Sequence, residues 1–90
     1  MDIRHPLKDY DRQMLGYAVE HGLPAHALLT KADKLGRGAA GNTLQAVRME
    51  LSRAYGDTVG VQTFSGESKL GVDEARRVVA GWLGLAGPKP

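Results

Sequence analysis

The sequence predicts an α/β fold built on a parallel sheet, in the order helix, strand, helix, strand, helix. Two short apolar or β-branched runs about one βαβ unit apart read as strands, three stretches with helical spacing surround them, and a polar turn follows each strand. Two parallel strands are fewer than such a sheet normally has, because parallel strands are buried on both faces and pair on both sides. The architecture is therefore expected to be incomplete, a portion of a larger sheet.

Lys8–His21 is expected to be the first helix. Tyr10, Met14, Tyr17 and Ala18 recur at helical spacing, Asp9 and Asp11 suit the positive end of the helix dipole, and Gly22 can close it. Pro24 then opens the apolar run Ala25-His26-Ala27-Leu28-Leu29, which ends in Thr30-Lys31-Ala32-Asp33. Its length and flanks suit a buried parallel strand with a polar loop at its C-terminal end, where the chemistry of open α/β sheets gathers.

Gly36 to Gly41 is glycine-rich and expected to be loop, with Asn42 and Gln45 at capping-box spacing ahead of the stripe Leu44, Val47, Leu51 and Ala54. Gly56 ends this second helix. Thr58 to Phe64 alternates Val59, Val61 and Thr63 with Gly60, Gln62 and Phe64, and runs into the turn Ser65-Gly66-Glu67-Ser68-Lys69. Asp73 and Glu74 open the last helix, whose Val72, Ala75, Val78, Val79, Trp82 and Leu83 are expected to pack in a core. Residues 1–87 are expected to form one unit, and Pro88-Lys89-Pro90 a flexible tail.

Composition excludes several function classes. With 42% hydrophobic and 24% charged residues the chain is ordinary globular material. A net charge of +2 is too small to argue for a nucleic-acid partner by itself, and exposed Arg48, Arg53, Arg76 and Arg77 are ordinarily a solvated face. The absence of cysteine removes disulfides, thiolate metal sites and cysteine nucleophiles together. His5, His21 and His26 share no ligand-like spacing, so no metal ligand is expected. No apolar run approaches the roughly 20 residues that span a bilayer, and no signal-peptide core is present, which leads to the expectation of a cytoplasmic protein with no membrane partner.

The stretch Gly36-Arg37-Gly38-Ala39-Ala40-Gly41-Asn42-Thr43 matches Gly-x-Gly-x-x-Gly and, with asparagine in place of the essential lysine, a phosphate loop. It starts too far after the first strand for either role, and Asp57 precedes the second strand where a ribose-binding carboxylate would end it.

The two strand-end loops carry the functional reading. Guanine offers two donors on its N1 and N2 edge and an acceptor at O6, so a site selecting it wants a carboxylate facing the first and an N–H facing the second. Lys31-Ala32-Asp33 supplies the carboxylate, and the lysine stem can lie against the base. Alone, such a triplet is ordinarily a surface ion pair. Its value lies in ending one buried strand while a second polar turn ends the neighbouring strand.

Three segments in order resemble the EngB (YihA-type) GTP-binding proteins: Asp2-Ile3-Arg4-His5-Pro6-Leu7-Lys8-Asp9, then Thr30-Lys31-Ala32-Asp33-Lys34-Leu35, then the Phe64-Ser65 turn with Gly71-Val72-Asp73. The resemblance implies the C-terminal half of a P-loop GTPase domain. It further implies that Thr30 stands where most relatives of that wider class have asparagine, that Lys31 covers the base, that Asp33 accepts from guanine N1 and N2, and that the turn Phe64, Ser65, Gly66 and Glu67 faces O6. Ala32 belongs to the same loop. Where the family usually shows Phe-Ser-Ser, this chain has Phe64-Ser65-Gly66, which keeps a backbone N–H for O6 and loses a hydroxyl.

The same resemblance implies GTP or GDP as ligand, with base contacts only, and Mg²⁺ in the complete domain. It implies roles in assembly of the large ribosomal subunit and in cell division and septation. The family's phosphate loop, magnesium-binding threonine and Asp-x-x-Gly switch lie ahead of the segment matched by Asp2, so hydrolysis by these residues alone is not expected. Expected partners are a guanine nucleotide, the large ribosomal subunit or its RNA, and the N-terminal half of the same domain. The alternative reading is a nucleotide-independent interaction or RNA-binding module.

Overall fold

The computed structural model describes residues 1–84, so the expected tail at residues 88–90, and residues 85–87 of the expected unit, lie outside the described part. The order is α1 (Asp9–Glu20), β1 (Ala25–Leu29), α2 (Arg37–Tyr55), β2 (Val59–Thr63) and α3 (Val72–Trp82), with single 3₁₀ turns at Ala32–Lys34 and Gly56–Thr58. This is an α/β arrangement with β1 and β2 parallel, in register from Ala25 opposite Val59 to Leu29 opposite Thr63.

The two glycine stops behave as expected. Gly22 follows α1 with φ of +66°, and Gly56 caps α2 at φ 70°, ψ −151°, a region essentially reserved for glycine. At the start of α1, the Lys8 N–H donates to Asp11 Oδ2 at 3.0 Å, satisfying one of the free amides of the first turn.

The glycine-rich stretch is helix rather than loop. Gly36 is the N-cap, Arg37 begins α2, and the Ala40 N–H already donates to Gly36 O at 2.8 Å, so Asn42 lies inside the helix and no Asn42–Gln45 capping box forms. Gly38 and Gly41 each disfavour helix by about 1 kcal/mol relative to alanine. That cost is outweighed because α2 buries Val47 and Leu51 and packs Ala40 and Leu44 against the core, and each extra turn of an existing helix needs no new nucleus.

Alternation along the strands separates two faces. Ala27, Leu29, Val59 and Val61 are buried with Leu15 of α1, Val47 and Leu51 of α2, Ile3 and Ala32. His26 and Leu28 point the other way and, with Ala75, Val78, Val79 and Trp82, line a small cavity of about 110 Å³ beneath α3. Helices α1 and α2 thus cover one face and α3 the other.

Two expected apolar stripes sit elsewhere than periodicity placed them. On α1 the buried residue is Leu15, with Val19 beside it, whereas Tyr10, Met14 and Tyr17 are exposed and Tyr17 stacks on His21 with ring centroids 4.1 Å apart. The helix carries two apolar ridges, and its placement against β1 decides which is covered. On α3 no residue is fully buried, and Trp82, expected in the core, is 47% exposed. Among the described residues α3 alone covers its face of the sheet, so no second helix closes over Val79, Trp82 and Leu83.

A third parallel element was not foreseen. Asp2 bridges Thr30, with Thr30 N–H donating to Met1 O at 2.7 Å and Ile3 N–H to Thr30 O at 2.9 Å. Met1–Ile3 therefore lies along the free edge of β1 and buries Ile3 in the core.

Candidate functional site

Both strand-end loops lie at the same edge of the sheet because β1 and β2 are parallel and in register. After Thr30 the backbone turns through a left-handed residue, Lys31 at φ 59°, ψ 34°, into the 3₁₀ turn containing Asp33. The turn reverses the chain at once, so Asp33 stays over the end of β1. Ala32 is buried, and its N–H donates to Phe64 O at 3.0 Å, while the Phe64 N–H donates to Leu29 O at 2.9 Å. These two bonds continue the sheet ladder into the loops and lock one against the other.

The centre of the site is a carboxylate held by a hydroxyl. Ser65, 1% exposed, donates from Oγ to Asp33 Oδ1 at 2.6 Å and accepts from the Ser68 N–H at 3.1 Å. With its lone pair facing Ser68, the hydroxyl has its proton committed to Asp33. The Ser65 N–H donates to Leu70 O at 2.9 Å, closing the turn from Phe64 to Leu70 on itself. No backbone carbonyl among the described residues accepts from Gly66 or Glu67, whose N–H groups lie on the exposed lip of that turn.

Charge reinforces the arrangement. The Ser65 hydrogen bond, with help from Lys34, holds the Asp33 carboxyl below the usual carboxylate range against a partial desolvation that pushes it up. Lys34 Nζ lies 3.7 Å from Asp33 Oδ2 and 3.3 Å from Glu67 Oε2, tying the two loops across solvent. Asp2, paired with Arg4 at 2.8 Å, is held far below that range by the Arg4 guanidinium. Exposed pairs of this kind add little stability, and their effect is to fix geometry and sign of charge.

Of the residues singled out in the sequence, Ala32, Asp33, Phe64, Ser65 and Glu67 meet through direct bonds or the Lys34 bridge, and Gly66 lies on the lip. Thr30 does not face the carboxylate: its Oγ1 donates to Met1 O at 3.0 Å and secures the Met1–Ile3 strand. Lys31 is exposed on the outer surface and close enough to Asp2 to lower its carboxyl further. The Phe64 side chain turns away, into a groove beside α3. Lys34 was missed, although opposite charges at Lys34 and Glu67, in loops ending adjacent parallel strands, were a readable hint of it.

Replacing Ser65 by alanine tests the central bond. The Asp33 carboxyl should then titrate closer to the ordinary carboxylate range, followed by its ¹³C resonance. A lowered folded-state value means that the stability Asp33 contributes is present above the unfolded carboxylate value and is lost as pH falls through the folded one. Ser65→Ala should therefore shrink the acid-side loss of stability relative to the parent chain. An unmoved Asp33 titration would show that the hydrogen bond does not govern the carboxylate.

No protein-family model matches the chain. Proteins named probable GTP-binding protein EngB match it along nearly all of its length. The one from Xanthomonas axonopodis pv. citri is 69% identical over 90 residues, covering 100% of this chain and 42% of that relative. That from Stenotrophomonas maltophilia is 73% identical over 85 residues, 94% of this chain and 42% of the relative, and that from Xanthomonas campestris pv. campestris is 72% identical over 85 residues, with 41% of the relative covered. At such identity the same packing and the same loop geometry are expected to be shared. The chain spans about two fifths of the length of the relatives it matches, and over its own length it is similar to these EngB proteins.

Proposed function

We propose that this chain is the guanine-recognising part of a GTP-binding protein, residues 1–87 forming the C-terminal half of the nucleotide-binding domain. The observation that carries the reading is the Asp33 carboxylate, fixed by Ser65 at 2.6 Å at the shared end of two parallel strands. Oδ1 is occupied by Ser65, so Oδ2 and the remaining lone pair of Oδ1 are left to accept from guanine N1 and N2. The exposed N–H groups of Gly66 and Glu67 are suited to O6, and the Lys31 stem to the face of the base. Thr30 and Ala32 act through the backbone, by placing the turn that carries Asp33.

Magnesium and the phosphates belong, on this reading, to the rest of the domain. The described residues include no group of three or more His, Cys, Asp or Glu side chains able to hold a metal ion. Roles in ribosome assembly and in division and septation, contact with the large ribosomal subunit or its RNA, and a cytoplasmic location complete the proposal by resemblance to the family. No helix among the described residues is long and apolar enough to cross a membrane.

The uncovered face of α3 supports the partial-domain reading. Phe64, Val72, Ala75, Val79, Ala80 and Leu83 line an almost wholly apolar groove, an arrangement that a domain normally buries against further chain. The relative from Xanthomonas axonopodis pv. citri is more than twice as long as this chain, which leaves further residues to supply that cover.

The test is a competition titration of a fluorescent GDP analogue with GDP, ADP and XDP, on this chain alone and on the chain joined to the remaining length of a relative. The joined protein should prefer GDP over ADP by about a hundredfold or more, because a base lacking the N1 and N2 donors leaves Asp33 unpaired. Equal affinity for GDP and ADP in the joined protein would rule the assignment out.

A further inference from the structure

Gln62 is 2% exposed in the middle of the α3 side of the sheet, an unusual place for a carboxamide, and every one of its polar groups is committed. Its Nε2 donates to Thr63 O at 3.1 Å and to Gly71 O at 2.9 Å. Both partners are carbonyls that can only accept, so the amide orientation is forced and Oε1 must point the other way. There it meets His26 Nε2 at 2.8 Å, and since Oε1 can only accept, the imidazole carries its proton on Nε2.

The sequence makes room for this arrangement at two glycines. His26 reaches Gln62 by lying across Gly60, where an added Cβ would stand 2.5 Å from Nδ1. Gly71, at φ +78°, brings its carbonyl to the carboxamide, and an added Cβ there would stand 2.6 Å from Gln62 Nε2. The bond to Gly71 spans the whole second loop, joining the strand before it to the first turn of the helix after it.

We infer that Gln62 is a positioning residue for base selection: clamped by His26, its carboxamide sets the width of the loop from Phe64 to Leu70 and thereby the place from which Ser65 addresses Asp33. The inference rests on the base-recognition reading for its purpose, although the mechanical coupling stands apart from any nucleotide. Gln62 touches neither Asp33 nor the exposed lip of the turn. Its influence passes through Gly71 and Leu70, whose carbonyl accepts from the Ser65 N–H.

Gln62→Met keeps length and volume and removes both donors and the acceptor. In the 90-residue chain, amide exchange and the ¹³C titration of Asp33 are followed by NMR. The expected result is exchange of the Ser65 and Ser68 amides faster by about tenfold, as for the loss of one or two net hydrogen bonds, with the Asp33 titration moved upward and the Val47 and Leu51 amides unchanged. His26→Ala, which releases the carboxamide and leaves its donors in place, should move the same readouts in the same direction by less. It serves as the test should Gln62→Met fail to fold. Exchange at Ser65 and Ser68 and an Asp33 titration that match the parent in the folded variant would overturn the inference. Because no readout uses nucleotide, a chain showing the coupling without binding GDP would count against base recognition and leave the positioning role standing.

Discussion

Asp33→Asn, in the chain joined to the remaining length of an EngB relative, will exchange guanine for xanthine preference. The Ser65 hydroxyl donates to Oδ1 at 2.6 Å and is held in that role by the Ser68 N–H, so it will go on selecting an oxygen in the asparagine variant. That choice orients the new side chain: its carbonyl faces Ser65 and its NH₂ takes the position of Oδ2, toward the base. A donor there opposes the N2 amino group of guanine and complements the O2 carbonyl of xanthine. A buried mispaired polar group costs roughly several kcal/mol, enough for a swing on the order of a hundredfold in the GDP to XDP ratio. Competition titration of GDP against XDP measures it. An undiminished preference for GDP would mean that Asp33 does not read the base.

Gly71→Ala will destabilise the fold far more than alanine at Gly22, although both glycines have positive φ. At Gly22 an added Cβ meets nothing within 4 Å, so only the left-handed backbone is penalised, about 1–2 kcal/mol. At Gly71 the same penalty is joined by a clash with Thr63 O and a contact of 2.6 Å with Gln62 Nε2. The first is backbone in the sheet and cannot swing aside, and the second ends the Gln62 bond to Gly71, so roughly 3–5 kcal/mol in all is expected. For a domain of this size that is a large part of total stability. Urea unfolding of the two variants with equal slopes should separate their midpoints clearly. Coincident midpoints would show that the helix entry moves freely and that the clasp around Gln62 is loose.

The elements most legible in the sequence were those set by local chemistry. The apolar run Ala25–Leu29 and the alternation around Val59–Thr63 gave both strands to within a residue or two, and Gly22 and Gly56 marked helix ends because only glycine takes those backbone angles at low cost. The loops containing Asp33 and Ser65 were legible as a pair, since parallel strands joined by one helix must end on the same side. Less legible was anything that depended on which surface met which. Tyr10, Met14 and Tyr17 have the spacing of a buried stripe, yet Leu15 and Val19 of the same helix face β1. Gly36 to Gly41 has loop composition, yet it continues a helix anchored further along by Val47 and Leu51.

Residue by residue, the sequence determined what each segment was able to do: strand or helix from the period of apolar residues, chain reversal from glycine, and a carboxylate beside a donor-rich turn as the chemistry of one edge. Tertiary structure alone decided which of those groups met. It brought the Ser65 hydroxyl to Asp33 across two strands, turned Thr30 inward to secure Met1–Ile3, and drew Gln62 into a clasp with His26 and Gly71. The division has a physical cause, because backbone preferences act over a few neighbouring residues, whereas a hydrogen bond between positions 32 or 36 residues apart exists only once sheet register has fixed their separation.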